Sequence, residues 1–247
     1  MAVLATAAMV GSGVPVGALA SDWVQRGDDI DGPTAQDWSG WSVAMSGDGD
    51  TVIIGATQNN IAFGAGQARV FDWSGGAWVQ RGSDIDGETA SDGSGWSVAM
   101  SGDGNTVIIG APLNDGGGDS AGQARVFDWS GVAWVQRGDD IDGEATNDES
   151  GWSVAMSGDG DTVIIGAPGM FAAEGQARVL DWSGVAWVQR GSDIDGETAG
   201  DRSGESVAMS GDGDTVIIGA PRNGGSAGQA RVLDWSGVAW VQRGSDI

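Results

Sequence analysis

The tetrapeptide Trp-Val-Gln-Arg begins at Trp23, Trp78, Trp134, Trp187 and Trp240, at spacings of 55, 56, 53 and 53 residues. Two further segments keep step with it. Ser-Val-Ala-Met begins at Ser42, Ser97, Ser153 and Ser206, and Gly-Gln-Ala-Arg-Val at Gly66, Gly122, Gly175 and Gly228. A repeat of this length is one supersecondary unit that cannot bury its apolar face alone, so like units must stack. The pattern gives four full units, about 39–85, 94–141, 150–194 and 203–247, plus a leading copy of the Trp-Val-Gln-Arg segment.

Each unit reads as four strands. In the second, Trp96–Ser101 is a short run of small and apolar residues, and Gly102-Asp103-Gly104-Asn105 is a turn, because Asp and Gly tolerate positive φ. Thr106–Ile109 is a β-branched run apolar on both sides, as a strand buried on two faces must be. A loop, Leu113–Ala121, precedes a third strand at Gln123–Trp129. Ser130-Gly131 then turns the chain into a fourth strand at Ala133–Arg137. Length changes fall mainly in the loop between the second and third strands. It spans 10 residues from Ala56 to Gly66, 11 from Ala111 to Gly122, and 8 from both Ala167 to Gly175 and Ala220 to Gly228. Variation confined to one loop marks one face of a repeat array, often the binding face. Four short antiparallel strands per unit predict an all-β propeller of four-stranded blades. The leading strand is then surplus to four blades, and belongs to a partial fifth blade or to a larger propeller. An open arc of this kind would expose sheet faces and invite self-association.

Composition removes most chemistries. The chain has 247 residues, a formal charge of −24 and no Cys or His; all eleven of its cations are Arg. Without Cys there is no disulfide framework, without His no Ser-His-Asp relay, and without either none of the usual zinc ligand sets. Without Lys there is no phosphate-loop lysine and no Schiff base. The net charge repels nucleic acid. Paired carboxylates could hydrolyse glycosides, but a catalytic pair needs two different environments. Here the acids recur in the same surroundings in each unit, so no enzyme is expected.

The units resemble FG-GAP repeats, the blade repeat of the integrin α-subunit propeller and of many bacterial and algal surface proteins. The residues that carry the resemblance are Ser94-Gly95-Trp96-Ser97-Val98-Ala99-Met100, Val107-Ile108-Ile109-Gly110-Ala111-Pro112 and Gly122-Gln123-Ala124-Arg125-Val126-Phe127-Asp128-Trp129. The family's Phe-Gly is here Gly-Trp at Gly40-Trp41, Gly95-Trp96 and Gly151-Trp152, and Gly204-Glu205 in the last unit. The first unit has Thr57 where the others have Pro. The resemblance implies a secreted or cell-surface module that binds a protein or glycan partner through its blade loops. A lectin-like propeller and a purely structural segment of a larger extracellular protein are the alternatives. The family's calcium loop lies between the first and second strands. The equivalent hairpin, Ser46–Thr51, is too short for it.

Four sets of residues are candidates for function. The connections between units place acids at relative positions 1, 3, 5 and 9: Asp84, Asp86, Glu88 and Asp92; Asp140, Asp142, Glu144 and Asp148; Asp193, Asp195, Glu197 and Asp201. Oxygens so spaced can surround Ca²⁺, the one cofactor considered, although the glycine falls at position 4 rather than at the sharp-turn position 6. Turn formation and backbone capping are the plainer reading. In the first connection Asp29, Asp31 and Asp37 remain, with Pro33 at the fifth position. Paired tryptophans at Trp73/Trp78, Trp129/Trp134, Trp182/Trp187 and Trp235/Trp240 could stack on sugars, but cross-strand packing is favoured. Arg26-Gly27-Asp28 and Arg137-Gly138-Asp139 spell an integrin-recognised tripeptide. The aligned copies read Arg-Gly-Ser, which favours drift at a strand end. Finally, residues 1–20 are uncharged and end in Ala18-Leu19-Ala20, either a signal-like segment or two degenerate strands. Interrupted by Gly11, Gly13 and Pro15, they make a poor membrane span.

Overall fold

The computed structural model describes residues 24–58, 64–170 and 174–247; the leader 1–20 lies outside them. The chain is all-β, and each repeat forms one antiparallel sheet, as a propeller-like array requires. The first sheet holds β1 (Ser39–Met45), β2 (Thr51–Ala56), β3 (Gln67–Ser74) and β4 (Ala77–Gln80), with β5 (Ile85–Asp86) also on β3. The second holds β6 (Ser97–Met100), β7 (Thr106–Ala111), β8 (Gln123–Trp129), β9 (Trp134–Gln136) and β10 (Ile141–Asp142). The third holds β11 (Ser153–Met156), β12 (Thr162–Ala167), β13 (Gln176–Trp182), β14 (Trp187–Gln189) and β15 (Ile194–Asp195). The fourth holds β16 (Ser206–Met209), β17 (Thr215–Ala220), β18 (Gln229–Trp235) and β19 (Trp240–Gln242).

The fourth strand of a blade is broken. In the first sheet, β4 pairs with the outer half of β3 (Trp73 opposite Trp78), and β5 pairs with its inner half (Ala68 opposite Ile85). Arg81 N–H still donates to Val70 O of β3 (2.8 Å); Gly82–Asp84 then leaves the ladder, and the Arg81 side chain reaches the next blade. The leading copy behaves differently. Val24–Gly32 forms no strand, and lies as irregular chain against the first blade.

Sequence sets the hairpin between the first two strands. In Ser46–Thr51, Asp48 accepts the Ser46 hydroxyl (2.6 Å) and the Asp50 N–H (2.9 Å), and Gly49 takes φ +73°. This Asx-type arrangement replaces the backbone bonds that a tight turn gives up. The Ser46 hydroxyl holds Asp48 below the usual carboxylate range, with the Asp50 N–H second. Asp159 and Asp212 are held down in the same way by Ser157 and Ser210.

Blades stack face to face. Ala44, Ile53, Ala68, Val70 and Ile85 on one face of the first blade meet Val98, Met100, Val107, Ile109 and Phe127 on the opposing face of the second. The same interlock follows between the second and third blades and between the third and fourth. All six residues of β7 and of β12 are buried, as the two-sided apolar runs predict. A backbone ladder stitches the inner hairpins together. Gly47 N–H donates to Gly102 O, Gly102 to Gly158 O, and Gly158 to Gly211 O, each at 2.8 Å.

Candidate functional site

The loops between second and third strands lie on the same end of the array as the connections between blades. Gly66 bridges Ser94, Gly122 bridges Ser150, and Gly175 bridges Ser203, all in parallel. In the second blade, Asn147 N–H donates to Asp119 O and Glu149 N–H to Ser120 O, which ties the longest loop to the connection beside it. The variable loops and the acidic connections therefore form one face.

On this face two left-handed positions depart from the repeat: Gln36, Ser91, Asn147 and Gly200 before the constant Asp, and the residue after that Asp. The residue before Ser-Gly in each connection is Trp38, Gly93, Glu149 or Arg202, while the Asp before it and the Ser-Gly after it are unchanged. All four have positive φ, at 59°, 69°, 54° and 56°. Glycine is the residue that occupies this region without strain, so three of the blades hold a bulky side chain there at a conformational cost. Trp38 and Arg202 meet a row of indoles, and Glu149 meets Arg202. Trp38 stacks on Trp41 (5.7 Å between centroids, 19° between planes), Trp41 meets Trp96 at 5.0 Å, and Trp96 meets Trp152 at 4.7 Å. The row ends in the fourth blade, where Glu205 replaces tryptophan and the Arg202 guanidinium lies 5.1 Å from the Trp152 ring. Arg202 also stands 3.6 Å from Glu149 and 3.0 Å from Glu205, ion pairs without hydrogen-bond alignment. Burial raises the Glu149 carboxyl above its ordinary range, Arg202 pulls it back, and Glu205 adds to the rise.

At its other end the row is open. Trp38 is 53% exposed and Trp41 48%. A pocket of about 160 Å³ opens beside them, lined by Trp38, Thr57, Gln58, Ser91, Trp96 and Leu113. The Thr57 hydroxyl is buried there with no hydrogen-bond partner among the described residues. Proline fills this position in the other three units.

The acidic connections bond to neighbouring side chains and backbone groups. Asp84, Asp140 and Asp193 accept from Gln80, Gln136 and Gln189, four residues earlier. Glu88, Glu144 and Glu197 accept from Gln123, Gln176 and Gln229 on the third strand of the following blade, and Glu88 and Glu144 also face Arg125 and Arg178. Asp92, Asp148 and Asp201 cap the N–H groups of Thr89, Ala145 and Thr198, three residues earlier. Asp86, Asp142 and Asp195 offer their backbone carbonyls to Arg125, Arg178 and Arg231. Among the described residues no three acidic side chains gather as a metal-ligating group, and the 1, 3, 5, 9 spacing serves separate partners. Several acids do line one cleft of about 350 Å³, among them Glu88, Asp92, Asp115, Asp140 and Asp142. Burial, then the charges of Asp140 and Glu88, raise Asp142 there.

The paired tryptophans of the outer strands are packing, as favoured from sequence. Trp129 and Trp134 are directly opposed across β8 and β9, with centroids 5.3 Å apart. The Arg81 guanidinium of the preceding blade lies 4.8 Å from the Trp129 ring, its backbone carbonyl accepts the Trp134 Nε1–H (2.8 Å), and Gly82 leaves no room for a Cβ against Trp129. Arg137 and Arg190 repeat this on the following blades. The arginine of Arg137-Gly138-Asp139 is therefore held by Trp182 and Asp161, and Gly138 by Trp182, so the tripeptide is not presented to a partner.

The indole row from Trp41 to Trp152 was legible only as a departure, Gly-Trp for Phe-Gly. The alternation of Trp, Gly, Glu and Arg at one position was the available signal, and alignment of the four units would have exposed it.

The FG-GAP repeat family model matches residues 84–127 and 141–178. No curated protein sequence matches the chain. Among solved structures, a chain of Kuenenia stuttgartiensis hydrazine synthase is similar at a TM-score of 0.57 and 16% identity, over 91% of this chain and 52% of that one. The present chain thus spans about half the length of that neighbour, and at this identity the likeness is one of fold. The two matched segments and the repeated four-stranded antiparallel sheets are consistent with FG-GAP repeats in a propeller-like array.

Proposed function

We propose that the chain is a non-catalytic interaction module, secreted or at the cell surface, that binds a protein partner through its loop face. The observation that carries this reading is the left-handed position between the constant Asp and Ser-Gly, which changes among Trp38, Gly93, Glu149 and Arg202 and places Trp38 and Arg202 against the indole row. Structure alone would keep glycine there, so the side chains have another use. An arginine already caps the closed end of the indole row. The open end presents the same ring chemistry, and the net charge of −24 attracts cations towards it. A segment of the partner that presents arginine or lysine fits this end.

The solved neighbour's name is that of an enzyme, but its likeness extends to fold alone. Adhesion is the role that such a module would serve. The second reading, carbohydrate binding, rests on the exposure of Trp38 and Trp41. The test is a biosensor titration with arginine-rich and lysine-rich peptides beside a glycan array. Peptide binding that weakens at least tenfold in Trp38→Ala/Trp41→Ala supports the proposal. Glycan binding with no peptide binding would replace it with the carbohydrate reading.

A further inference from the structure

The two ends of the blade row are complementary. The face of the first blade that no other described blade covers carries Val43 and Met45, 67% and 65% exposed. Their repeat equivalents Val98 and Met100 are 8% exposed, beneath the preceding blade. The free face of the fourth blade carries Ile217 at 37% exposure, whereas its equivalents Ile53, Ile108 and Ile164 are wholly buried against the next blade. Each end thus displays one half of the interface repeated three times inside the molecule.

The hydrogen-bond ladders end in matching halves. Among the described residues, the Gly211 N–H has no acceptor and the Gly47 carbonyl no donor from a neighbouring blade. A second ladder runs from Ser42 Oγ to Gly95 O, Ser97 Oγ to Gly151 O and Ser153 Oγ to Gly204 O. It leaves the Ser206 hydroxyl at one end of the row and the Gly40 carbonyl at the other.

Arginine contacts extend the match. Arg26, Arg81, Arg137 and Arg190 each reach the inner hairpin of a blade, at Gly49 O, Gly104 O, Gly160 O and Gly213 O. Among the described residues Arg243 meets no other blade. It folds back on Asp234 at 2.6 Å and is 62% exposed, against 12% for Arg137. The seat Arg243 would take on a first blade is held by Arg26. Residues 23–30 and 240–247 are the same octapeptide apart from Asp28 and Ser245. From Val24 on, the leading copy pairs in no strand, so Arg243 of another molecule can take its place with contacts of the same kind.

We propose that the free face of the fourth blade docks head to tail on the first blade of a second copy of this chain. Gly211 N–H then meets Gly47 O of the second copy, Ser206 meets Gly40, and Arg243 displaces Arg26 from Asp50. Exchange of one arginine for its duplicate is close to even, and burial of the two apolar faces drives the contact. The contact is heterologous, so copies either close into a ring or continue as a filament. Because each chain carries −24, association strengthens as salt screens the repulsion.

The experiment is sedimentation velocity on the full chain over a range of concentrations at low and high salt, with Met45→Glu and Ile217→Glu as variants. Both positions are surface-exposed, and circular dichroism and melting of each monomer confirm that the blades stay folded. Wild type is expected to form dimers or longer species, and each variant alone to remain a monomer. An equimolar mixture of the two variants is expected to form a species of two chains and no more, because one intact head meets one intact tail. A wild type that stays monomeric at every concentration and salt overturns the proposal. So does a mixture that associates no better than its components while wild type associates, since that behaviour belongs to an isologous contact.

Discussion

The second blade and the first are written with nearly the same residues, yet they are not equally built. The Ser-Val-Ala-Met strand alternates between half-buried and buried in the second blade and is half-buried to exposed in the first. The fourth blade mirrors this on its other face, where β17 loses the complete burial of β7 and β12. The difference teaches that in this fold a residue's burial belongs to the neighbouring blade as much as to its own. Apolar alternation states which residues can be covered. Stacking decides which are.

The comparison can be broken at the core. Ile108→Ala, in a position sealed on both sides, is expected to cost about 2–5 kcal/mol. Ile217→Ala, at the aligned position of the fourth blade, should cost well under half as much, because part of that side chain is already in water. Urea unfolding of the two variants measures the gap. Equal losses would mean that the end blade is covered in solution.

The arginines give the next largest contrast. Arg137→Ala removes the guanidinium from Trp182 and Trp187 together with bonds to Gly160 O and Asp161, and should destabilise by about 2 kcal/mol. Arg243→Ala should leave the melting of the monomer unchanged, since its partner is an exposed carboxylate on the same blade. A comparable loss in both variants would put the weight on the hairpin pairing rather than on the inter-blade seat.

The smallest effect sharpens the contrast between the first connection and the others. With Pro33 in place of glutamate, Gln67 Nε2 and Arg69 Nε are buried with no hydrogen-bond partner among the described residues. Their counterparts Gln123 and Arg125 face Glu88, and Gln176 and Arg178 face Glu144. Pro33→Glu should supply the missing carboxylate and raise stability by about 1 kcal/mol, the two new contacts outweighing the lost rigidity of proline. Glu88→Ala should move the second blade the opposite way. A destabilised Pro33→Glu variant would show that proline is needed for the path of the leading segment.

Much of the fold was legible because the repeat imposes it. The strand pattern, the Asp-Gly hairpins and the buried Thr-Val-Ile-Ile run of each unit lie in local sequence, where turn chemistry and periodicity act directly. The site was less legible. Acids at 1, 3, 5 and 9 look like a ligand set, but glutamines and arginines two strands away claim Glu88 and Glu144, and backbone N–H groups claim Asp92, Asp148 and Asp201. Spacing along the chain gives the reach of an oxygen and not its partner. The tryptophans reversed in importance for the same reason. The pairs on the outer strands are covered by arginines from the preceding blade. The Gly-Trp residues, which looked like a family departure, line up across three blades.

By itself the sequence determined the unit: its length, its four strands, its turns, and the absence of the side chains that most enzymes and zinc sites need. Only the tertiary structure decided what each copy of the unit does. Stacking turns identical residues into buried core, exposed edge or inter-blade seat, because burial and hydrogen bonding are completed by groups of another blade, from 23 residues away (Arg81 to Gly104) to 54 (Ser97 to Gly151).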